Sequence, residues 1–76
     1  MPRLPVLSGR DVVRVFQHLG WQVVRQSSSH IIMVQDGSAA TLSIPNHREV
    51  AKGTLRSLIR AANLSVAEFV AAAQAI

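Results

Sequence analysis

The sequence predicts an α+β fold of order α-β-β-β-α-α, with helices packed on one face of a three-stranded antiparallel sheet. Three observations predict it. Apolar residues at helical spacing open the chain and stop at Gly20. Three short runs rich in β-branched residues follow, parted by a serine cluster and by Asp36-Gly37. Two more apolar helical faces close the chain, with Asn63 and Ser65 between them. A meander of three strands flanked by helices buries one sheet face under them and leaves the other open to a ligand or partner.

Each element has its own signal. Pro2 and Pro5 keep the first residues extended. Ser8, three residues ahead of Asp11, reads as an N-cap in a variant of the capping box. Val12, Val15, Phe16 and Leu19 then share one helical face, with Arg10, Arg14 and Gln17 away from it, and Gly20 supplies a left-handed C-terminal cap. The first helix is therefore expected over 9–19. Residues 21–26 form a short strand, Ser27 to Ser29 a turn, and 30–35 a second strand. Asp36-Gly37 marks a second turn, since glycine adopts positive φ without steric cost. Residues 40–44 alternate, with Leu42 and Ile44 on one face and Thr41 and Ser43 on the other, and Pro45 ends the strand.

The second helix has a clear body: Ala51, Leu55, Leu58, Ile59 and Ala62 lie on one face. Its start is open. Asn46 with Glu49 would cap a start near 47, whereas Gly53, costly inside a helix by about 1 kcal/mol, favours a start near Ala51 or Lys52. Asn63 is its expected C-terminal cap. Ser65 with Glu68 is a fresh capping box, and Val66, Phe69, Val70 and Ala73 make a third apolar face.

The length, 76 residues, suits one domain spanning 1–76. There are no cysteines to supply disulfides, which fits a reducing compartment. No apolar run approaches the roughly 18–20 residues that span a membrane. The opening residues lack the apolar stretch of a signal peptide, so a soluble cytoplasmic protein is expected. Eight Lys and Arg against four Asp and Glu give a net charge of +4, and seven of the eight bases are Arg. That excess means either plain solubility or an anionic partner: nucleic acid, a membrane surface or an acidic protein.

The chemistry is confined to few residues. His18 lies on the flank of the first helix and is expected in solvent. No metal site is expected, since cysteine is absent and no histidine pair has ligand spacing. A nucleophile elbow and a Gly-rich phosphate loop are also missing. His30, at the mouth of the second strand, has two readings. It is a turn residue bonded to nearby backbone, or it is a general acid or base, for which an ordinary pKa of about 6.5 suits it. RNA is the matching substrate, because its own 2′-OH, once deprotonated, attacks the adjacent phosphate without a metal or cofactor. Cations recur every four residues at Arg48, Lys52, Arg56 and Arg60, and the last three form a helical stripe. Arg25 precedes the serine turn, and the backbone N–H groups of Gly53 and Thr54 stand at a helix start suited to phosphate. The stripe is otherwise a solvated helix face, although Glu49 is the only acid between residues 37 and 67.

The parity of the second strand is left open. One register buries Ile32 and Val34 and turns His30 inward; the other buries Ile31 and Met33 and turns His30 out. Catalysis by His30 requires the second.

Taken in order, several segments resemble the HicA toxin family, small bacterial mRNA interferases paired with HicB antitoxins. They are Leu4-Pro5-Val6-Leu7-Ser8-Gly9-Arg10-Asp11, Leu19-Gly20-Trp21, Ser29-His30, Ile44-Pro45 with His47, Lys52-Gly53-Thr54-Leu55, and Leu64-Ser65-Val66-Ala67-Glu68-Phe69. The resemblance implies a fold similar to the double-stranded RNA-binding domain and ribosome-independent cleavage of mRNA, which this chemistry would carry out without a metal or cofactor. Its catalytic residue is the histidine of a Gly-Ser-His motif, which falls on His30. Ser29 and His47 are carried as auxiliary candidates, and a HicB-like antitoxin is the implied partner. Ser28 replaces the motif's glycine; positive φ there would cost about 1–2 kcal/mol. Two alternatives stand beside the toxin: a non-catalytic module of the same fold that binds RNA or antitoxin, and a domain that meets only an acidic protein.

Overall fold

The computed structural model describes residues 3–76, so Pro2 lies outside the described residues. Helix α1 (Gly9–His18) is followed by strands β1 (Gln22–Gln26), β2 (His30–Val34) and β3 (Thr41–Pro45), then helices α2 (Lys52–Ala61) and α3 (Val66–Gln74). The sheet is antiparallel in the order β1-β2-β3. The expected α+β fold and element order are therefore observed.

Local capping chemistry sets the helix ends. The Ser8 hydroxyl accepts from the Asp11 N–H at 3.2 Å. At the other end of α1 the Trp21 N–H reaches the Phe16 carbonyl and the Gly20 N–H the Gln17 carbonyl, with Gly20 at φ +96°. That double bond is a Schellman motif, and only a residue tolerant of positive φ fits it. Asn63, at φ 61°, repeats the motif after α2 through Asn63 N–H to Arg60 and Leu64 N–H to Ile59. Trp21, read from sequence as strand, belongs to the first of these caps and packs edge-on to Phe16 with ring centroids 6.1 Å apart.

The parity of β2 is settled by burial. Ile31 and Met33 pair with Ile44 and Leu42 on the helix-covered face, and all four are buried. His30 is consequently exposed, on the open face with Ile32 and Val34. Val12, Val15 and Phe16 of α1, Leu55 and Ile59 of α2 and Phe69 of α3 complete the core. Phe16 also meets Phe69 at 5.3 Å, joining α1 to α3.

Several sequence expectations are refined. Ala51 is exposed as the N-cap of α2, and Val50 takes the buried place. The start of α2 at Lys52 agrees with the Gly53 argument, and Asn46 bonds the serine turn instead of capping a helix near 47. Val13 joins the buried face of α1. Strand ends also shift by a residue: Gln35 leaves β2 to donate its side-chain amide to the Leu19 carbonyl at 3.0 Å. Pro45 closes β3 from within, at an edge position where its missing N–H is harmless.

The segment before α1 is tied to the segment after β3. The Gly9 N–H donates to the His47 carbonyl at 2.9 Å, and the Val50 N–H to the Leu7 carbonyl at 2.8 Å. Gly9 sits so close that an added Cβ would overlap the Pro45 carbonyl oxygen and lie 3.0 Å from the Asn46 Cα. Backbone on both sides leaves no soft side chain to yield. Gly9→Ala is therefore expected to destabilise the fold by about 1–3 kcal/mol, as overpacking does. A urea unfolding midpoint equal to wild type would contradict that close approach.

The Ser65–Glu68 capping box forms in both directions, at 2.9 and 3.0 Å. Bonds from the Ser65 backbone N–H and then its hydroxyl hold the Glu68 carboxyl below its ordinary value, because they favour the charged form. A carboxyl lowered by folding adds stability that is full above the unfolded value and is lost as pH falls through the folded one. The stability gap between wild type and Glu68→Gln should thus narrow on acidification through that window. A gap independent of pH would show that the charge contributes nothing.

Candidate active site

The β1–β2 turn is built from its serines. The Ser27 N–H donates to the His30 carbonyl at 2.8 Å. The Ser27 hydroxyl accepts from the His30 N–H at 3.1 Å and lies 3.2 Å from the His30 carbonyl, to which it donates. It also receives the Ser29 N–H at 3.4 Å. One small side chain therefore satisfies most of the turn's backbone, in the manner of short hydroxyl-bearing residues at turns. Asn46 holds the turn from the other side: its N–H donates to the Ser29 carbonyl at 2.9 Å and its side-chain amide to the Ser28 carbonyl at 3.5 Å. Ser28 carries no strain, since Asn63 is the only non-glycine with positive φ among the described residues.

The His30 ring stands in solvent at the end of this brace. Its Nδ1 lies 3.1 Å from the Ser29 hydroxyl. The partner is a side chain, not the backbone group expected of an ordinary turn histidine. With Nδ1 occupied, Nε2 is the nitrogen left to meet an outside molecule. The hydroxyl can either accept from or donate to Nδ1; when it accepts, the proton sits on Nδ1 and the Nε2 lone pair is free, the tautomer a base needs.

The cations fall in three places. Arg25 pairs with Ile32 on the open face, one diagonal step from His30 across the turn. Diagonal neighbours in a sheet are about 7–8 Å apart, within reach of an arginine. Lys52, Arg56 and Arg60 are all exposed along α2. The start of that helix has no side-chain cap. A Cβ at Gly53 would meet nothing within 4 Å, so the backbone beside Gly53 and Thr54 is open to an approaching group. Arg48 and His47 line a hollow of about 380 Å³ together with Ser8, Arg10, Gln26 and Asn46. His47 thus sits with Arg10 and Arg48, and no hydrogen bond links it to His30 among the described residues. No cluster of three metal-ligating side chains occurs among the described residues. No helix among them is long and apolar enough to cross a membrane.

Three residues of this region were not read as part of it from sequence. Ser27 was one turn serine among three, although its position at the strand end is the one from which a hydroxyl reaches back to the chain. Asn46 was weighed only as a helix cap. Gly9 gives no local signal, because its need for a bare Cα comes from Pro45.

A family model described as the HicA toxin of bacterial toxin–antitoxin matches residues 9–64. No curated protein and no solved structure matches the chain. The match starts at the glycine that docks α1 on the Pro45–His47 segment and ends in the cap that closes α2, so it takes in the serine turn, His30 and the basic helix. With 9–64 of its 76 residues matched, this chain belongs to the HicA toxin family.

Proposed function

We propose that this toxin is an mRNA interferase of a single domain, acting in the cytoplasm, with His30 as its catalytic residue. The observation that carries the reading is the exposed His30 ring, with Nδ1 held by Ser29 and Nε2 open. Nε2 takes the proton of a ribose 2′-OH. The 2′-oxygen attacks the adjacent phosphorus, a bond to it forms, and the bond to the 5′-oxygen breaks. The imidazolium returns its proton to that leaving oxygen. A 2′,3′-cyclic phosphate and a 5′-hydroxyl result, with no metal or cofactor in the scheme.

The negative charge that builds on phosphorus needs placed cations and N–H donors. Arg25 is nearest in the sheet to His30. Lys52, Arg56, Arg60 and Arg48, with the uncapped backbone at Gly53 and Thr54, carry the neighbouring phosphates. Ser29 is a positioning residue that acts through the imidazole, and His47 an auxiliary residue beside Arg10 and Arg48. The implied partner is a HicB-like antitoxin that covers His30 and the basic stripe.

One observation favours the alternative, a non-catalytic RNA-binding or antitoxin-binding module. The His30 ring has a hydroxyl as its hydrogen-bond partner and no carboxylate among the described residues. Such a module would shift RNA on a gel and leave it intact.

His30→Ala should keep its far-ultraviolet dichroism and lose about 10²–10⁴-fold in cleavage rate, the range typical of general acid–base loss. A variant that still cuts at the wild-type rate removes His30 from the mechanism. Binding to single-stranded RNA should weaken with salt by about 0.7 in log–log slope for each phosphate engaged, and Lys52→Ala or Arg56→Ala should flatten that slope. An unchanged slope would place the contact elsewhere.

A further inference from the structure

Two hollows lie on the helix-covered side of the sheet, and the cleavage scheme uses neither as a whole. The larger, about 640 Å³, runs between α1 and the edge strand β1. Val13, Val23 and Ile31 line it as an apolar floor, and Arg10, Arg14 and Gln17 stand along α1 at its rim. It lies along the edge strand where β1 is bulged between Val23 and Arg25. A bulge increases local twist and bends the edge away from what packs on it. Val23 is accordingly 37% exposed although it pairs with fully buried Met33. The smaller hollow is the one that holds His47 and Arg48, and it shares Arg10 and Gln26 with the larger. The two therefore adjoin at Arg10 and Gln26, and together they line a trough.

The trough starts at the serine turn. Gln26 immediately precedes Ser27, and Asn46, in the smaller hollow, donates to the Ser28 carbonyl. Its chemistry changes along its length. Every side chain that lines the smaller hollow is polar; two are guanidinium groups and none is a carboxylate. A phosphodiester suits that lining, since it accepts from several donors at once and matches the arginine fork. The larger part pairs an apolar floor with Arg14 and Gln17, which suits the face and edge of an unstacked base. Asp11 is its one carboxylate.

We infer that this trough is a second RNA subsite, which takes a phosphate between Arg10 and Arg48 and a base over Val13, Val23 and Ile31. The inference rests on the RNA-cleaving reading and extends it: the strand continues past the scissile bond, round the lip of the sheet, and lies along α1. Sequence preference then comes partly from Arg14 and Gln17, at a distance from His30. An acidic segment of a protein partner is the competing occupant. The carboxylate-free hollow with its two guanidinium groups, and its place beside the serine turn, favour RNA.

The test is a binding titration in the His30→Ala background, where the RNA stays whole. Arg10→Ala/Arg14→Ala is compared with its parent on a short RNA of about three nucleotides and a long one of about twelve, within the range of single-strand site sizes. Both arginines are exposed, so the thermal midpoint should hold. On the long RNA affinity should drop roughly tenfold and the salt slope by about 0.7, for the one phosphate held at Arg10. On the short RNA the loss should be much smaller. Equal losses at both lengths, or an unchanged slope on the long RNA, overturn the subsite. So does a loss confined to antitoxin binding, which would make the trough a protein-docking face. If the His30→Ala parent binds no RNA even at low salt, the cleavage reading fails as well. If the parent binds and the slope does not move, the subsite alone fails.

Discussion

The structure depends on which alternate residues of β2 are buried. Side chains on a strand point to opposite faces in turn, so burying Ile31 and Met33 turns His30 outward. A slip of one residue would exchange the two sets and draw the imidazole under the helices. Leu42 and Ile44 hold the same parity in β3, and Phe16, Leu55 and Phe69 fill the space beneath. The hydrophobic effect thus orients the candidate catalytic group without touching it.

Parity alone leaves a side chain at a strand end free to wander. The second layer of organisation is polar and local. Ser27 ties both main-chain groups of His30, Asn46 ties the carbonyls of Ser28 and Ser29, and Gly9 anchors the residue after Asn46. The turn is therefore clamped from β1 on one side and from the β3–α2 connection on the other. The first turn of α1 is drawn into the same neighbourhood, which places Arg10 at the junction of the trough.

Much of this was legible in the sequence where the cause is local. Ser8, Gly20, Asn63 and the Ser65–Glu68 pair each act within a few residues, and each cap formed where it was read. The exposure of the α2 stripe was also legible from its spacing, whereas His30 was singled out through the family resemblance. The parity of β2 was not legible, because Ile31 and Met33 on one face and Ile32 and Val34 on the other are nearly equal in hydrophobicity. Only helices packed from elsewhere break that tie. Val50 displaced Ala51 for a similar reason: without a side-chain cap at the start of α2, nothing local fixes its first turn. The bulge in β1 left no mark in the run Gln22 to Gln26, and the trough beside it was equally invisible.

The candidate catalytic ring bears no weight in the packing. It is bonded to one neighbouring hydroxyl and is otherwise in water. On the proposed reading, this uncouples toxicity from folding. A lineage can lose the histidine in a single step and keep a folded protein with its charged surface whole. Such silent descendants would still occupy antitoxin, and so would raise the dose that neighbouring active copies need to be held in check.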